Sequence, residues 1–517
     1  ESSSKLVRAK TGKPVILSTR NSFHGKTLGA LSATGNENYQ SAFGAPVPGF
    51  RHIPYGDLEA LESYLAEHAG DTAAFIVEPI QGEGGIVEPP QGYLKQVQEL
   101  CARHGVLTIF DEIQTGLGRT GALFACAEEG VTPDVMVLAK ALGGGLIPIG
   151  AVLCRAEVYT EDFGLKHSST FAGNSLGARV GLAVLELLTK DDGALLRSVR
   201  EKGAKLKAGL ERVAAKYPQV VKAIRGRGFM LGIEFVNSRD PYPHSLLGVM
   251  AEQELLTPMV ASYLLNVERV RVAPTLNGAS VIRIEPPLTM GETEIERVVQ
   301  AVERACGLLA SRNTAAFLGH LIGYSRPAAL NGAAQPQTGE EARPQPGDGR
   351  FAFLVHPVDL DNYSEFDASL ADLTAEQLED LSSRWNDLVE PFVVASTRVV
   401  DNCGRSAYGD FICVPKTAAQ LLAMDKEQSR REILAAIDLA VERGARLVGL
   451  GAYTSVVTMG GRQLLPYTDV ALTTGNSYTV VSGVEAAVSA AKEVGLEMAT
   501  ATGAVGGAGG AIGKALA

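Results

Sequence analysis

The chain has 517 residues, 46% of them hydrophobic and 20% charged, with a net charge of -11. That length exceeds one ordinary core, so two or more folded units are expected, with the composition of a soluble globular protein. The charge argues against nucleic acid or an anionic membrane as main partner, and no run approaches the roughly 18 to 20 apolar residues of a membrane span.

In chain order, Glu1 reads as already partway along a helix, with no Met and no signal-peptide pattern. Short apolar or β-branched runs at 14–19, 73–79, 106–112, 134–138 and 150–154 read as strands, with helical periodicity at 57–69 and 92–104 between them. This alternation predicts an α/β domain on a largely parallel sheet. Two longer helices are expected at 176–189 and 195–216. A smaller αβ region follows, with strands at 229–235 and 281–285 and a closing helix at 292–310. From Arg326 to Gly349, four prolines and four glycines displace large apolar side chains, which marks a linker. A second αβ pattern starts at Phe351 and stops at Ala517, where a helix has only begun. The expected divisions are 1–190, 191–312, a linker at 313–349, and 350–517. No internal repeat is apparent. The six cysteines, at 101, 126, 154, 306, 403 and 413, have no metal-ligand spacing, so no metal site is expected. Lone thiols of this kind fit a reducing, cytoplasmic setting.

Three segments concentrate the chemistry: Val77-Glu-Pro-Ile-Gln-Gly-Glu-Gly-Gly85, Ile109-Phe-Asp-Glu-Ile-Gln-Thr-Gly116 and Leu138-Ala-Lys-Ala-Leu-Gly-Gly-Gly145. In the second, an apolar strand delivers Asp111 and Glu112 at its C-terminal end, the edge where open α/β sheets bind ligands. A strand-end acid can equally cap a helix. In the third, Lys140 ends a strand and three glycines follow, which permits close backbone approach to a ligand. Taken alone, such a lysine is a solvated charge.

Together these segments resemble the class III aminotransferases, of ornithine and ω type, within the type I fold of enzymes dependent on pyridoxal phosphate (PLP). The resemblance covers roughly residues 1–310. Asp111 lies 33 residues after Glu78 and Lys140 lies 29 after Asp111, as in the family. Further matches are Asn21-Ser-Phe-His-Gly-Lys-Thr27, His167-Ser-Ser-Thr-Phe-Ala-Gly-Asn174, Arg225-Gly-Arg-Gly-Phe-Met-Leu-Gly-Ile233 and Ile282-Arg-Ile-Glu-Pro-Pro-Leu288.

The resemblance implies a large PLP-binding domain, a small C-terminal domain, and the following roles. Lys140 would carry PLP covalently and, once displaced, move a proton between the substrate Cα and the cofactor. Asp111 would keep the pyridine nitrogen protonated, so that the ring works as an electron sink. Gln114 is placed to contact the pyridine oxygen, Phe23 to stack on the ring, with His24 beside it, and Glu78 falls among the cofactor-binding residues. Thr170 matches a phosphate ligand supplied by the partner of a homodimer. Arg283 would grip the donor's α-carboxylate, although a strand-edge salt bridge is its other reading. Glu83 would cover Arg283 when a substrate without that carboxylate enters. The family's Ser/Thr-Gly phosphate loop is expected upstream of Glu1, so weak PLP binding is anticipated.

In the second region, Leu447-Val-Gly-Leu-Gly-Ala-Tyr-Thr-Ser-Val456 is an apolar strand entering a glycine turn, and a helix is expected at 484–494. Gly507, Gly510 and Gly513 then form G-x-x-G-x-x-G ahead of a helix start, a pattern that presents backbone N–H groups to a pyrophosphate. In the order of these segments, residues 350–517 resemble the long-chain acyl-ACP reductases, which are shikimate dehydrogenase-like, though more loosely than the first region resembles its family. That implies a partial Rossmann-like domain, NADPH, and an acyl thioester on acyl carrier protein or coenzyme A as substrate. The nucleophilic cysteine is expected beyond Ala517, and Cys413 reads as a core thiol.

The two resemblances imply an enzyme that reduces an acyl thioester to an aldehyde and aminates it from an amino acid donor, with L-glutamate the expected one. A diamine or ω-amino acid aminotransferase with an accessory nucleotide-binding domain is the alternative. So is a PLP-dependent aminomutase, against which Arg283 and Glu83 weigh. A non-catalytic dimerisation module is a further alternative, disfavoured by Lys140 and Asp111.

Overall fold

The computed structural model describes residues 1–278, 280–324 and 342–474, with the single positions 489, 492 and 493. Gly507, Gly510 and Gly513 lie outside the described residues, as do positions 325–341 of the expected linker and most of the helix expected at 484–494. The chain divides into two compact units: Glu1–Pro241 with Glu254–Ser311, and Tyr242–Gln253 with the chain from Arg312 onward.

The first unit is built on six strands: β1 (Val15–Thr19), β2 (Phe50–Ile53), β3 (Thr72–Val77), β4 (Leu107–Asp111), β5 (Val135–Leu138) and β6 (Ala151–Cys154), in the order β2-β1-β3-β4-β5-β6. All neighbours are parallel except β6, which runs antiparallel to β5. Every residue of β3 is buried, which is why it reads as a continuous apolar run rather than an alternating one. Helix Tyr93–Arg103 buries Tyr93, Leu94, Val97, Leu100 and Cys101, one stripe at helical spacing, against Phe75, Val77 and Phe110. The two long helices expected at 176–189 and 195–216 form Ser175–Lys216, broken where Lys190, Asp191, Asp192 and Gly193 leave helical geometry.

A second, antiparallel sheet completes this unit, in the order β7-β8-β10-β9: β7 (Val221–Arg227), β8 (Met230–Phe235), β9 (Ala273–Pro274) and β10 (Val281–Ile284). Helix Glu292–Ala310 follows, with the limits expected from sequence.

The second unit holds a five-stranded sheet in the order β12-β13-β11-β14-β15: β11 (Gly349–Val355), β12 (Phe392–Val400), β13 (Ser406–Cys413), β14 (Leu447–Leu450) and β15 (Ala471–Thr473). Only β12 is antiparallel to its neighbour. Leu354, Ile412 and Val448 of the sheet pack with Ile433 and Ile437 of helix Lys426–Glu442. Among the described residues, no helix is long and apolar enough to cross a membrane, and no group of His, Cys, Asp and Glu could hold a metal ion.

Candidate active site

Parallel strands deliver their C-terminal ends to one edge, and the chemistry gathers there: Phe23 and His24 after β1, Glu78 after β3, Asp111 closing β4, Lys140 after β5. The two-residue period of β4 separates its adjacent acids. Asp111 turns to His24, whose Nδ1 lies 2.7 Å from Asp111 Oδ2, while Asp111 Oδ1 accepts the Ile113 N–H at 3.1 Å. Glu112 turns the other way, accepting the Thr115 hydroxyl at 2.5 Å and the Cys126 N–H at 2.8 Å, so it is structural. Because a carboxylate only accepts, His24 must donate from Nδ1. Its Nε2 is buried, with no partner among the described residues.

Glu78 is spent on the backbone: Oε2 accepts the Phe23 N–H at 3.0 Å and Oε1 the Gly82 N–H at 3.2 Å. Burial pushes its carboxyl up to about 7, with His24 and the two N–H groups working against that rise and Asp111 adding to it. It therefore ties the segment carrying Phe23 to the loop carrying Gly82 and Glu83.

Lys140 has φ +44°, a left-handed conformation that costs a non-glycine residue energy and recurs at functional sites. Its Nζ donates to Gln114 Oε1 at 2.8 Å, and Gln114 Nε2 donates to Glu285 Oε1 at 2.8 Å. Glu285 was not singled out from sequence, although it lies two residues beyond Arg283. A Cβ on Gly82 would fall 2.5 Å from Gln114 Oε1, so this glycine makes room for the amide. Arg283 Nη1 lies 2.5 Å from Glu83 Oε1, with both side chains largely buried. Lys26 Nζ stands 5.5 Å from the centre of the Phe23 ring.

A cavity of about 870 Å³ opens beside His24 and Asp111, walled in part by Ala139, Ser168, Ser169 and Phe171. Thr170 is exposed and does not line this cavity of its own chain. In the second unit, Cys413 is buried and its thiol is pushed up to about 12, which leaves it protonated at neutral pH.

The residues fit PLP: an amine on a strained turn, a buried carboxylate braced by histidine that can face a protonated ring nitrogen, an amide beside the amine, and an aromatic platform. The unpartnered buried Nε2 of His24 marks the same place as polar and prepared for a group.

Residues 1–306 match the family described as Aminotransferase class-III. The ornithine aminotransferase of Toxoplasma gondii, with PLP partly occupying its active site, is 34% identical, with a TM-score of 0.51 over 60% of this chain and 70% of that one. A (S)-enantioselective omega-transaminase from Thermomicrobium roseum is 30% identical, with a TM-score of 0.52 over 58% and 71%. An amine transaminase from an uncultivated Pseudomonas species, in its PLP-bound form, is 29% identical, with a TM-score of 0.51 over 58% and 72%.

Proposed function

Because this chain belongs to the class-III aminotransferases and takes PLP as cofactor, we propose that it moves an amino group from L-glutamate to an aldehyde, giving a primary amine. The observation that carries this reading is the Glu83–Arg283 pair. A guanidinium covered by the chain's own carboxylate suits a donor that bears a carboxylate and an acceptor that bears none. PLP, when bound, supplies an electron sink for charge at the substrate Cα. Lys140 Nζ takes and returns the Cα proton, while Gln114 Oε1 keeps the amine in place. Asp111, braced by His24, would hold the ring nitrogen protonated, and Phe23 would give the ring an aromatic face to pack on.

Thr170 serves the site of a second copy in a homodimer. Near it in sequence Leu165, Phe171 and Leu176 are 86%, 81% and 64% exposed, large apolar side chains of the kind that a partner surface covers. The second unit, Rossmann-like and cytoplasmic with the rest, reduces an acyl thioester on acyl carrier protein or coenzyme A to the aldehyde, using NADPH held at Gly507, Gly510 and Gly513. Its support is the run of parallel strands β13-β11-β14-β15, with β14 ending at the Gly451 turn. One chain carrying both activities raises the local concentration of a reactive aldehyde.

A second reading is favoured by Glu285. Its carboxylate beside Gln114 would receive the distal ammonium of a diamine, with the second unit binding a nucleotide only. Profiling the PLP-loaded chain with L-glutamate separates the two. The first reading expects long-chain aldehydes to be aminated and short diamines to be poor substrates. Good turnover of diamines without amination of aldehydes would replace it by the second.

A further inference from the structure

Glu83 has two carboxylate oxygens, and only Oε1 meets Arg283. Oε2 accepts the backbone N–H of Leu276 at 3.0 Å, and the Glu83 carbonyl accepts the N–H of Asn277 at 2.9 Å. The 275–278 turn between β9 and β10 thus grips the covering residue by side chain and main chain at once. The turn is fastened on its far side as well. Asn277 Nδ2 donates to the carbonyls of Asn21 at 3.1 Å and Ser22 at 3.3 Å, and Asn277 Oδ1 accepts from Asn36 Nδ2 at 2.7 Å. The Tyr39 hydroxyl donates to the Leu276 carbonyl at 3.0 Å. Gly278 packs so closely that a Cβ on it would come within 3.1 Å of Gly85 Cα and 3.3 Å of the Gly84 carbonyl. Leu276 itself is 49% exposed, so polar contacts and close backbone approach, rather than apolar burial, hold the turn in place.

We propose that the 275–278 turn is a latch on the Glu83–Arg283 pair, with Asn277 as the positioning residue that sets how readily Glu83 leaves Arg283. A buried carboxylate needs donors for both oxygens, and the Leu276 N–H supplies what Arg283 does not. A substrate carboxylate that takes Arg283 must part Glu83 from both partners. The strength of the latch therefore enters the apparent affinity of every carboxylate-bearing substrate and of none that lacks a carboxylate. Asn277 sets that strength because its side-chain amide makes three of the bonds that fasten the turn. The latch discriminates between the two substrate classes of one site without touching either.

The inference rests on Arg283 as the carboxylate grip, so the test uses the apo chain and glutarate, a dicarboxylate that cannot react. Hydrogen exchange at Leu276 and Asn277 is followed together with calorimetric glutarate binding. Glu83→Ala is expected to speed exchange at the Leu276 amide about tenfold, the weight of the charge-assisted hydrogen bond it loses, while the Asn277 amide keeps its main-chain acceptor. Asn277→Ala is expected to tighten glutarate binding about fivefold, and Arg283→Ala to abolish it. Unchanged exchange at Leu276 in Glu83→Ala overturns the latch. So does an Asn277→Ala chain with wild-type circular dichroism and wild-type glutarate affinity. If glutarate binds no form of the chain while Glu83→Ala still frees the turn, the latch stands and the carboxylate role of Arg283 falls.

Discussion

Glu78 is a buried carboxylate held between two backbone N–H groups, and its acidity has a thermodynamic consequence. Burial raises it from an ordinary 4.5 to about 7, so between those values the folded chain binds more protons than the unfolded one. The contribution of this group to stability is therefore fully present below about pH 4.5 and is lost as pH rises through 7. The loss amounts to about 3 kcal/mol. Glu78→Gln should remove that part of the pH dependence, measured as denaturant midpoint against pH. An unchanged slope between pH 5 and 8 would assign it to other groups. At this scale Asp111 and Lys140 were legible because their neighbours form a recognisable pattern around strand ends. Glu285 was not, because its partner Gln114 lies 171 positions away and only the fold brings them together.

The elements legible in sequence were those whose burial is one-sided or complete. Strands β3 and β4 and helix Glu292–Ala310 bury regular sets of residues and fell within two residues of expectation. Strand β2 was missed because Phe50-Arg-His-Ile53 places two polar residues between its buried ends. Strand β7 was missed because Lys222, Arg225 and Arg227 interrupt it. The segment Tyr242–Gln253 gave no sign that it belongs to the second unit, since its anchor is remote. Asp367 Oδ2 accepts the Ser245 hydroxyl at 2.8 Å, the Leu246 N–H at 2.9 Å and the Thr314 hydroxyl at 2.5 Å. Its Oδ1 accepts the hydroxyl and N–H of Ser369 at 2.7 and 3.1 Å. Asp367→Ala strands several buried donors, which should cost about 3 kcal/mol. Thermal unfolding should show that loss in the second unit, while PLP binding by the first is kept. Loss of PLP binding in this variant would show that the anchor serves the first unit too.

For the whole molecule, function requires that one edge of the first unit's main sheet be a working PLP site. Sequence patterns carried that far because a site built from strand ends leaves its residues in compact motifs. They could not show which side chains share hydrogen bonds across the unit, and those bonds decide how Lys140, Gln114 and Arg283 are held. The most direct measurement is the visible absorbance of the PLP-loaded chain before and after L-glutamate, with Lys140→Ala as control. The account predicts a band from the lysine-bound cofactor that glutamate bleaches and that the variant lacks. A band of equal strength in Lys140→Ala, or one that glutamate leaves untouched while another amine bleaches it, would contradict it.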